Sequence, residues 1–441
     1  MKVKASNSKT SWSKKGWEWL IRLIPDRFKR SEGRIVRFIR RPAEEIYRGG
    51  LPALLREALV FLALPLAFPV VLAIRALRPL MLIRFGPLVS ESLGHFAANT
   101  EMYLCKRDAG MDNQRAIDIF YHTSPVCNQQ LKKMWDRTLC VSHLACPVDR
   151  LNRLLPGGDN HMIPWPPYGD RDIHGLLQRT PVHLSFTPEE ERRGLTALRE
   201  LGIPDGTSFA CFHARGSAYL GARFAKPDWH YHDYRDSNIH NHVPAAEELT
   251  RRGYFVIRMG AIVEEALTTT NPMIIDYAMK SRNDFLDIFL GAKCRFAIGD
   301  NTGIICIPVV FRRPVAWVNF VPLEYAPSWG LNDLFIPKKL WLRKERRFLT
   351  FREILNSEVG RFYQSEQYEQ MGIKLVENTP EEITALAVEM DERLKGTWQT
   401  TEEDEERQRS FWSLFKPSES HGIIVSRIGA EFLRQNRELL E

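Results

Sequence analysis

The sequence lacks the cysteine spacing that marks a metal site or a disulfide framework. Its 441 residues contain seven cysteines, with no CxxC pair and no His-rich metal spacing beside them. Most of the seven lie inside apolar runs, such as Cys211 in FACFHA and Cys306 in GIICIPV. An odd number of buried thiols is typical of a reducing compartment. We therefore predict a cytoplasmic location, no disulfide bonds and no structural zinc.

Most of the chain also carries almost no net charge. The formal charge is +7, but residues 1–50 hold 14 Lys/Arg against 5 Asp/Glu, a balance of +9, and the remaining residues balance at −2. A basic arm on a near-neutral body indicates attraction to an anionic surface, either lipid or nucleic acid. Because the arm also carries apolar residues, it favours lipid, and we predict no nucleic-acid partner.

The basic arm has the pattern of a helix that lies in a membrane interface. Apolar and aromatic residues of WEWLIRLIPDRF share one helical face: Trp17, Leu20, Ile21, Ile24 and Phe28. The run RIVRFIRR continues the pattern with apolar residues among four arginines. Such residues opposite Lys and Arg are typical of an interfacial helix. The alternative is an ordinary amphipathic helix packed on the body.

Polar side chains are absent from the 17 residues of Ala58–Ile74, ALVFLALPLAFPVVLAI. That length is short for a spanning helix, and Pro65 and Pro69 would bend it. Removal as a signal peptide is not expected, because about 50 residues of basic chain come first. A single span and a re-entrant or interfacial form both remain open, and we favour the monotopic form. The predicted location is the cytoplasmic face of the inner membrane, monotopic or peripheral.

From Met81 onward, strand-like and helix-like segments alternate. The strand-like runs are LMLIRFGPL, AIDIFYH, SFACFHAR, YFVIRMG, RFAIGD and PVAWVN. This rhythm predicts an α/β fold with parallel sheets, arranged as two Rossmann-like lobes behind the apolar arm. The predicted boundaries are 1–80 for the arm, 81–185 and 186–375 for the lobes, and 376–441 for C-terminal helices that pack back on them.

The turn GDNTG follows a buried strand and precedes a short apolar helix. In open α/β sheets, ligands bind beyond the carboxyl ends of the strands. Asp300, Asn301 or Thr302 can cap the helix, and the free N–H groups of its first turn suit a phosphate. Gly303 allows the backbone to approach a ligand closely. The alternative is a capped turn that binds nothing.

Several other predicted strand ends carry cations. FHARG contains His213 and Arg215, VIRMG contains Arg258, and the polar stretch DYRDSN contains Arg235 and Asp236. A lone arginine is more often a surface residue. Several arginines at one sheet edge indicate a diphosphate clamp, because a guanidinium group matches phosphate oxygens in a bidentate way.

His95 stands at the start of the helix that follows the first predicted strand. A histidine there would face the cleft and could act as general base toward a hydroxyl group. The alternative is a structural histidine with a satisfied hydrogen bond.

These stretches together resemble a family of bacterial surface-carbohydrate glycosyltransferases. The matching segments are IRFGPLVSESLGHFAANTEMYL, VCNQQLKKMW, FHARGSAYL, WHYHDYRDSNI, GYFVIRMG, FAIGDNTGI with RPVAWVN, and IGAEFLRQN. The resemblance covers residues 81–441 and implies the two-lobed GT-B fold. The H-x-R segment is similar to the strand-end motif of fucosyltransferases, which implies that Arg215 meets the donor diphosphate.

The resemblance implies a glycosyltransferase, and the basic, apolar arm, which lies outside the resemblance, indicates membrane association. We therefore predict a membrane-associated glycosyltransferase that moves a sugar from a nucleotide-sugar donor to a lipid-linked or cell-surface glycan precursor. The second lobe would hold the donor and the first the acceptor. The predicted catalytic residues are His95 and Asp236. The predicted nucleotide-sugar-binding residues are His213, Arg215, Arg235, Arg258, Asp300, Asn301, Thr302 and Gly303.

No metal and no cofactor beyond the nucleotide sugar are expected, because cations and helix N-termini can stabilise a leaving diphosphate. The tripeptide DRD at Asp170–Asp172 lies in a Pro/Gly-rich stretch, a poor setting for a metal-binding D-x-D motif. Two alternatives remain: a GT-B-like nucleotide-sugar epimerase, and a catalytically inactive membrane-bound scaffold.

Overall fold

The computed structural model describes residues 34–112, 115–165, 169–217, 230–418, 420–424 and 426–441. The amphipathic face predicted over residues 17–28 lies outside the described residues. The chain forms two compact units. One contains Met1–Leu77 with Cys146–Met162, and the other contains Arg78–Ala145 with Ile163–Glu441. The domain boundaries predicted from the sequence stay a prediction.

Twelve strands and fourteen α-helices are present in the described residues. The strands are β1 (Leu82–Leu88), β2 (Ala116–His122), β3 (Phe209–His213), β4 (Phe255–Arg258), β5 (Ile274–Ile275), β6 (Ala297–Gly299), β7 (Val315–Phe320), β8 (Leu334–Pro337), β9 (Lys339–Leu342), β10 (Arg347–Phe348), β11 (Ile373–Val376) and β12 (Arg427–Ile428). The helices are α1 (Arg34–Leu77), α2 (Leu93–Asp108), α3 (Gln129–Thr138), α4 (Ala145–Leu154), α5 (Pro188–Glu200), α6 (Val243–Arg251), α7 (Tyr277–Lys280), α8 (Asp284–Lys293), α9 (Cys306–Val310), α10 (Phe351–Leu355), α11 (Ser365–Gln370), α12 (Pro380–Lys395), α13 (Glu402–Ser413) and α14 (Ala430–Gln435).

The large sheet has seven strands in the order β12-β8-β7-β6-β3-β4-β5, and every neighbouring pair is parallel. Its central strands β6 and β7 are buried at every residue. Strands covered on both faces have no polar face, so they read in sequence as continuous apolar runs. A second parallel pair, β1 with β2, lies in the same unit. The predicted α/β fold with parallel sheets is confirmed.

The small β1–β2 sheet shares its apolar core with helices of the large sheet. Phe96 and Leu104 of α2 lie in one buried cluster with Ile288 of α8 and Ile307 of α9. Backbones also approach closely here, since a Cβ added to Gly303 would lie 2.8 Å from the backbone nitrogen of Gly94. The start of α2 is therefore fixed against the turn that follows β6.

Helix α1 belongs to the other unit and is interrupted at Gly50, whose φ of 61° and ψ of −146° break the helical backbone. Within the described part of the chain, one helix is both long enough and apolar enough to cross a membrane. This helix is the stretch Gly50–Leu77 of α1. The second segment of this unit, Cys146–Met162, contains most of α4.

Candidate functional site

The large sheet has a topological switch point between β3 and β6. From β3 the chain moves outward through β4 and β5, then returns to β6 and moves outward in the opposite direction through β7 and β8. Connections that leave two neighbouring strands in opposite directions open a crevice at their carboxyl ends, where α/β proteins bind ligands. His213 ends β3 and pairs in register with Gly299, which ends β6. The predicted strand-end residues therefore flank this crevice.

Asp300 joins the two sides of the crevice. This side chain is completely buried, and its Oδ2 accepts hydrogen bonds from the backbone nitrogen of Arg215 at 2.7 Å and from Ser237 Oγ at 2.8 Å. Its other oxygen, Oδ1, is buried with no partner among the described residues. The turn after β6 thus holds the segment after β3 in place, and one acceptor atom is left over.

Arg215 presents a buried guanidinium group at the switch point. Its Nη1 donates to the carbonyl oxygen of His232 at 2.9 Å and to the carboxylate of Asp236. Burial lowers the pKa of Arg215, and the neighbouring Arg235 acts in the same direction. Among the described residues, Nε and Nη2 of Arg215 make no hydrogen bond. These donors are available to an anionic ligand.

Arg235 lies beside the same turn. Its Nη1 is 3.5 Å from the carbonyl oxygen of Asn301, its Nη2 is 3.1 Å from Nδ1 of His232, and its Nε is buried without a partner in the described chain. Burial, followed by Arg235 and Arg215, lowers the pKa of His232 to about 4, so this ring is neutral near pH 7. Two guanidinium groups and a neutral imidazole therefore surround the end of the crevice.

The turn Asp300–Gly303 does not cap the helix after it, and the predicted capping is wrong. Helix α9 begins at Cys306 with Ile305 as its N-cap residue, and no side chain bonds to its first turn. The reason is a tight turn in which Thr302 N donates to Asp300 O at 2.8 Å, so residues 303–305 separate the polar side chains from the helix. Asn301 Oδ1 and Thr302 Oγ1 are instead buried without described partners.

His213 is held in one tautomer. Its Nδ1 lies 2.9 Å from the carbonyl oxygen of Met259, which can only accept, so Nδ1 carries the proton and Nε2 keeps its lone pair. Burial lowers the pKa of His213, with Arg258 and Arg215 acting in the same direction against Asp300. A neutral imidazole with a fixed acceptor atom therefore stands at the end of β3.

Arg258 lies at the same sheet edge, one strand outward, because it pairs in register with Phe212. Its Nη1 donates to the carbonyl oxygen of Glu265 at 2.7 Å and lies 3.3 Å from Asp276 Oδ2. Arg258 is buried, so these contacts anchor the loop after β4 to the sheet. The structure brings this arginine to the predicted edge and gives it protein partners there.

Lys338 is a residue of this edge that sequence reasoning missed. It follows β8, is buried, and donates from Nζ to the carbonyl oxygens of Tyr234 at 3.1 Å and Asp236 at 2.6 Å. Burial lowers the pKa of this amine. The available signal was a lysine directly after the apolar run LFIP, but that run was not recognised as a strand.

Asp236 is fixed from both ends. Lys338 holds its carbonyl oxygen and Arg215 holds its carboxylate. Burial raises the pKa of Asp236 to about 6, helped by Asp233 and Asp300 and opposed by Arg215. The Asp236 carboxylate therefore occupies Nη1 of Arg215 and titrates within the physiological range.

His95 lies in the first turn of α2 and is exposed. Its Nδ1 is 3.4 Å from Asn99 Oδ1 on the same helix. The preceding residue, Gly94, contacts Gly303 of the turn after β6. The shared contact brings His95 to the neighbourhood of the switch point, and its catalytic role stays a prediction.

Among the residues that the structure describes, one group has side chains close enough together to bind a metal ion: Glu101, Cys105 and His183. Arg312 Nη2 already donates to Glu101 Oε1 at 2.7 Å and contacts Cys105 Sγ at 3.6 Å. Burial acts to lower the pKa of His183, but hydrogen bonds to Cys105, Glu101 and Asp108 outweigh it and raise the pKa to about 10. A protonated imidazole and a guanidinium group make this a poor cation site, and it is better described as an ion-pair network.

The comparisons with known proteins give partial likenesses of fold. No protein-family model matches the chain, and no curated protein sequence matches it. A glycosyl transferase of family 9 from Veillonella parvula aligns over 54% of this chain and 80% of its own, with 10% identity and a TM-score of 0.34. The ADP-heptose LPS heptosyltransferase II of E. coli aligns over 54% and 84%, with 13% identity and a TM-score of 0.29.

A third solved structure, the iron-containing dodecameric glycosyltransferase TibC from enterotoxigenic E. coli, aligns over 55% of this chain and 59% of its own. Its identity is 11% and its TM-score 0.29. All three are glycosyltransferases, but TM-scores below 0.5 are too low to transfer a function. The resemblance to fucosyltransferases in the H-x-R segment stays a prediction.

Proposed function

We propose that the protein is a membrane-associated glycosyltransferase. It moves a sugar from a nucleotide-sugar donor to a lipid-linked or cell-surface glycan precursor at the cytoplasmic face of the inner membrane. The observation that carries the proposal is the convergence of Arg215, Arg235 and the Asp300–Gly303 turn at the switch point of a parallel sheet. Paired guanidinium groups at such a crevice suit a pyrophosphate.

Several polar atoms of the crevice have no hydrogen-bond partner among the described residues, and they favour a ligand that carries both negative charge and hydroxyl groups. Nε and Nη2 of Arg215 can donate to phosphate oxygens. The orphaned oxygens of Asp300, Asn301 and Thr302 instead need hydrogen-bond donors, which sugar hydroxyl groups supply. Arg258, held by Asp276, positions the edge of the site.

The proposed reaction breaks the bond between the sugar and the donor diphosphate and forms a bond between the sugar and an acceptor hydroxyl. Arg215 and Arg235 stabilise the charge that develops on the departing diphosphate. His95 takes the proton of the acceptor hydroxyl, and Asp236 keeps Arg215 in position until the donor arrives. His213 lies close to the sugar with Nε2 as an acceptor.

The test is a thermal-shift screen of the full chain in detergent against UDP-, GDP-, dTDP- and CMP-sugars, followed by a transfer assay with a lipid-linked acceptor. We expect one nucleotide class to raise the melting temperature and its sugar to appear on the acceptor. Conversion of the donor sugar without acceptor would instead identify an epimerase. No stabilisation by any nucleotide sugar would identify a scaffold and end the proposal.

Donor binding is expected to strengthen as the pH falls through about 6. Asp236 faces Arg215, Lys338, Asp233 and Asp300, and burial raises the pKa of its carboxyl group to about 6. Above that pH the carboxylate competes for Arg215; below it the neutral carboxyl releases the guanidinium group. A nucleotide sugar does not titrate in this range, so the Kd measured from pH 7.5 to pH 5.5 should fall.

Asp236→Asn is the control for this pH dependence. The amide cannot ionise, so the variant should bind donor at pH 7.5 about as tightly as the parent chain does at pH 5.5. An unchanged pH profile in Asp236→Asn would show that another group titrates and would contradict the assignment.

A further inference from the structure

The exposed surface of α1 is apolar on more than one side. Leu54, Phe61, Phe68 and Leu72 are exposed on one flank, and a continuous apolar stripe lies beside them. Four leucines, spaced as on one side of a helix, are all more than half exposed: Leu55, Leu59, Leu62 and Leu66. Leu77 continues the same side near the end of the helix. An apolar stripe of this length on a helix surface requires a partner in the native environment.

The opposite side of α1 is buried, and Glu57 on this side contacts the segment Cys146–Met162. The side chains that are almost fully buried on this side are Ala53, Glu57, Ala67 and Val71. Glu57, only 1% exposed, pairs with Arg150 of α4 and with Arg56. A buried carboxylate between two guanidinium groups fixes this end of the contact.

A second polar contact fixes the other end. Arg75 donates from Nε to Asn152 Oδ1 at 2.9 Å and from Nη1 to the carbonyl oxygen of Pro156 at 2.7 Å. Glu57 and Arg75 are eighteen residues apart on the helix, which corresponds to about 27 Å. The segment Cys146–Met162, called the companion segment below, therefore contacts α1 near both ends of its apolar stretch.

We infer that residues 51–77 of α1 lie in the plane of a membrane surface and do not cross it. The inference rests on the proposed membrane association. If this stretch crossed a hydrocarbon core of about 30 Å, its companion segment would have to enter the core as well. That segment carries Asp149, Arg150, Arg153 and Asp159, and a charged side chain at the centre of a bilayer costs at least about 3 kcal/mol.

In the in-plane arrangement, the leucine stripe and the companion segment each meet a suitable medium. The leucine side enters the acyl region of one leaflet, and the companion segment stays in water, where its charged side chains are solvated. The partner is an anionic bilayer, because residues 1–50, which directly precede the stripe, carry a net charge of +9. The helix is thus a surface anchor that presents the chain to lipid-linked substrates.

Depth measurements on spin-labelled full-length protein in liposomes of anionic phospholipid test the inference. Labels go to Leu55, Leu66 and Leu77 on the exposed side, with Cys140, Cys146 and Cys306 replaced by serine. The in-plane arrangement predicts equal depths within one leaflet for all three labels. A label at Asn160, which is exposed on the companion segment, should stay accessible to a water-soluble relaxation agent.

A crossing helix would give a different depth pattern, with Leu66 near the midplane and Leu55 and Leu77 near opposite surfaces. That result would overturn the in-plane inference and leave the membrane association intact. Failure of the protein to float with liposomes would overturn both, since the stripe would then be covered by protein, such as a second copy of the chain.

Substitutions on the stripe separate apolar insertion from charge attraction. Leu62→Asp with Leu66→Asp should weaken liposome binding at least about tenfold, because two exposed leucines no longer enter the bilayer. Leu195→Asp, at an exposed leucine of α5, is the matched control and should leave binding unchanged. Equal losses in the two variants would contradict a role for the stripe.

Discussion

Replacing Arg215 with alanine is expected to weaken nucleotide-sugar binding at least about 30-fold. The guanidinium group is held at the switch point by His232 and Asp236, and removal of a buried, hydrogen-bonded cation from a charged ligand costs about 2 kcal/mol or more. Titration of the best nucleotide sugar from the screen against wild-type and variant chains gives the ratio of the two Kd values.

Two further variants interpret the Arg215 result. Arg215→Lys keeps the charge but loses the planar fork, so it should bind with intermediate affinity. Arg199→Ala removes an exposed arginine of α5 that pairs with Asp205, and it should bind donor like the parent chain. If Arg215→Ala bound the donor as tightly as Arg199→Ala does, Arg215 would be excluded from the diphosphate clamp.

The second large effect is expected at Asp300. Asp300→Ala leaves the backbone N–H of Arg215 and the hydroxyl of Ser237 without their acceptor in a fully buried place. Each buried donor left unpaired costs about 1–3 kcal/mol, so the loss of two acceptor contacts should lower the free energy of unfolding by about 2–6 kcal/mol. Donor binding should also be lost, because the backbone that carries Arg215 is no longer held against the turn after β6. Urea unfolding and donor titration measure the two effects.

Asp333 provides a matched control at the opposite edge of the same sheet. It is also buried, and it accepts from the backbone N–H of Val315 at 2.9 Å and from Trp317 Nε1 at 3.1 Å. Asp333→Ala should destabilise the protein to a similar extent and leave donor affinity unchanged under conditions where the chain is folded. If both variants lost donor affinity equally, the effect of Asp300 would be one of general stability.

The central part of the fold could be predicted because its strands are buried on both faces. FACF, AIG and VAWV are continuous apolar runs, and they lie in β3, β6 and β7, the central strands of the large sheet. The residues that follow these strands could be placed at one edge, since parallel strands end on the same side. The position of the switch point could not be predicted from the sequence. It depends on which strands pair with each other, and no single segment carries that information.

The peripheral elements were harder to predict. The sequence predicts C-terminal helices within residues 376–441, but near the end of this range the structure has β12, Gly429 and only the short helix α14. A side chain at Gly429 would approach Leu386 and Ile336 within 3.0 Å, and such tertiary packing leaves no local signal. The position of Lys338 also has no local signal in the sequence. Its amine binds carbonyl oxygens of residues about a hundred positions earlier in the chain.

The shared core beneath α2 has a consequence for how the molecule can move. A two-stranded sheet is marginal by itself, so β1 and β2 owe their order to Ile288, Ile307 and their neighbours beneath α2. The two sheets therefore cannot swing apart like a hinge, and neither half would survive excision from the other. A ligand of the switch-point crevice would therefore meet walls that are already set, and any gating would fall to loops at its mouth.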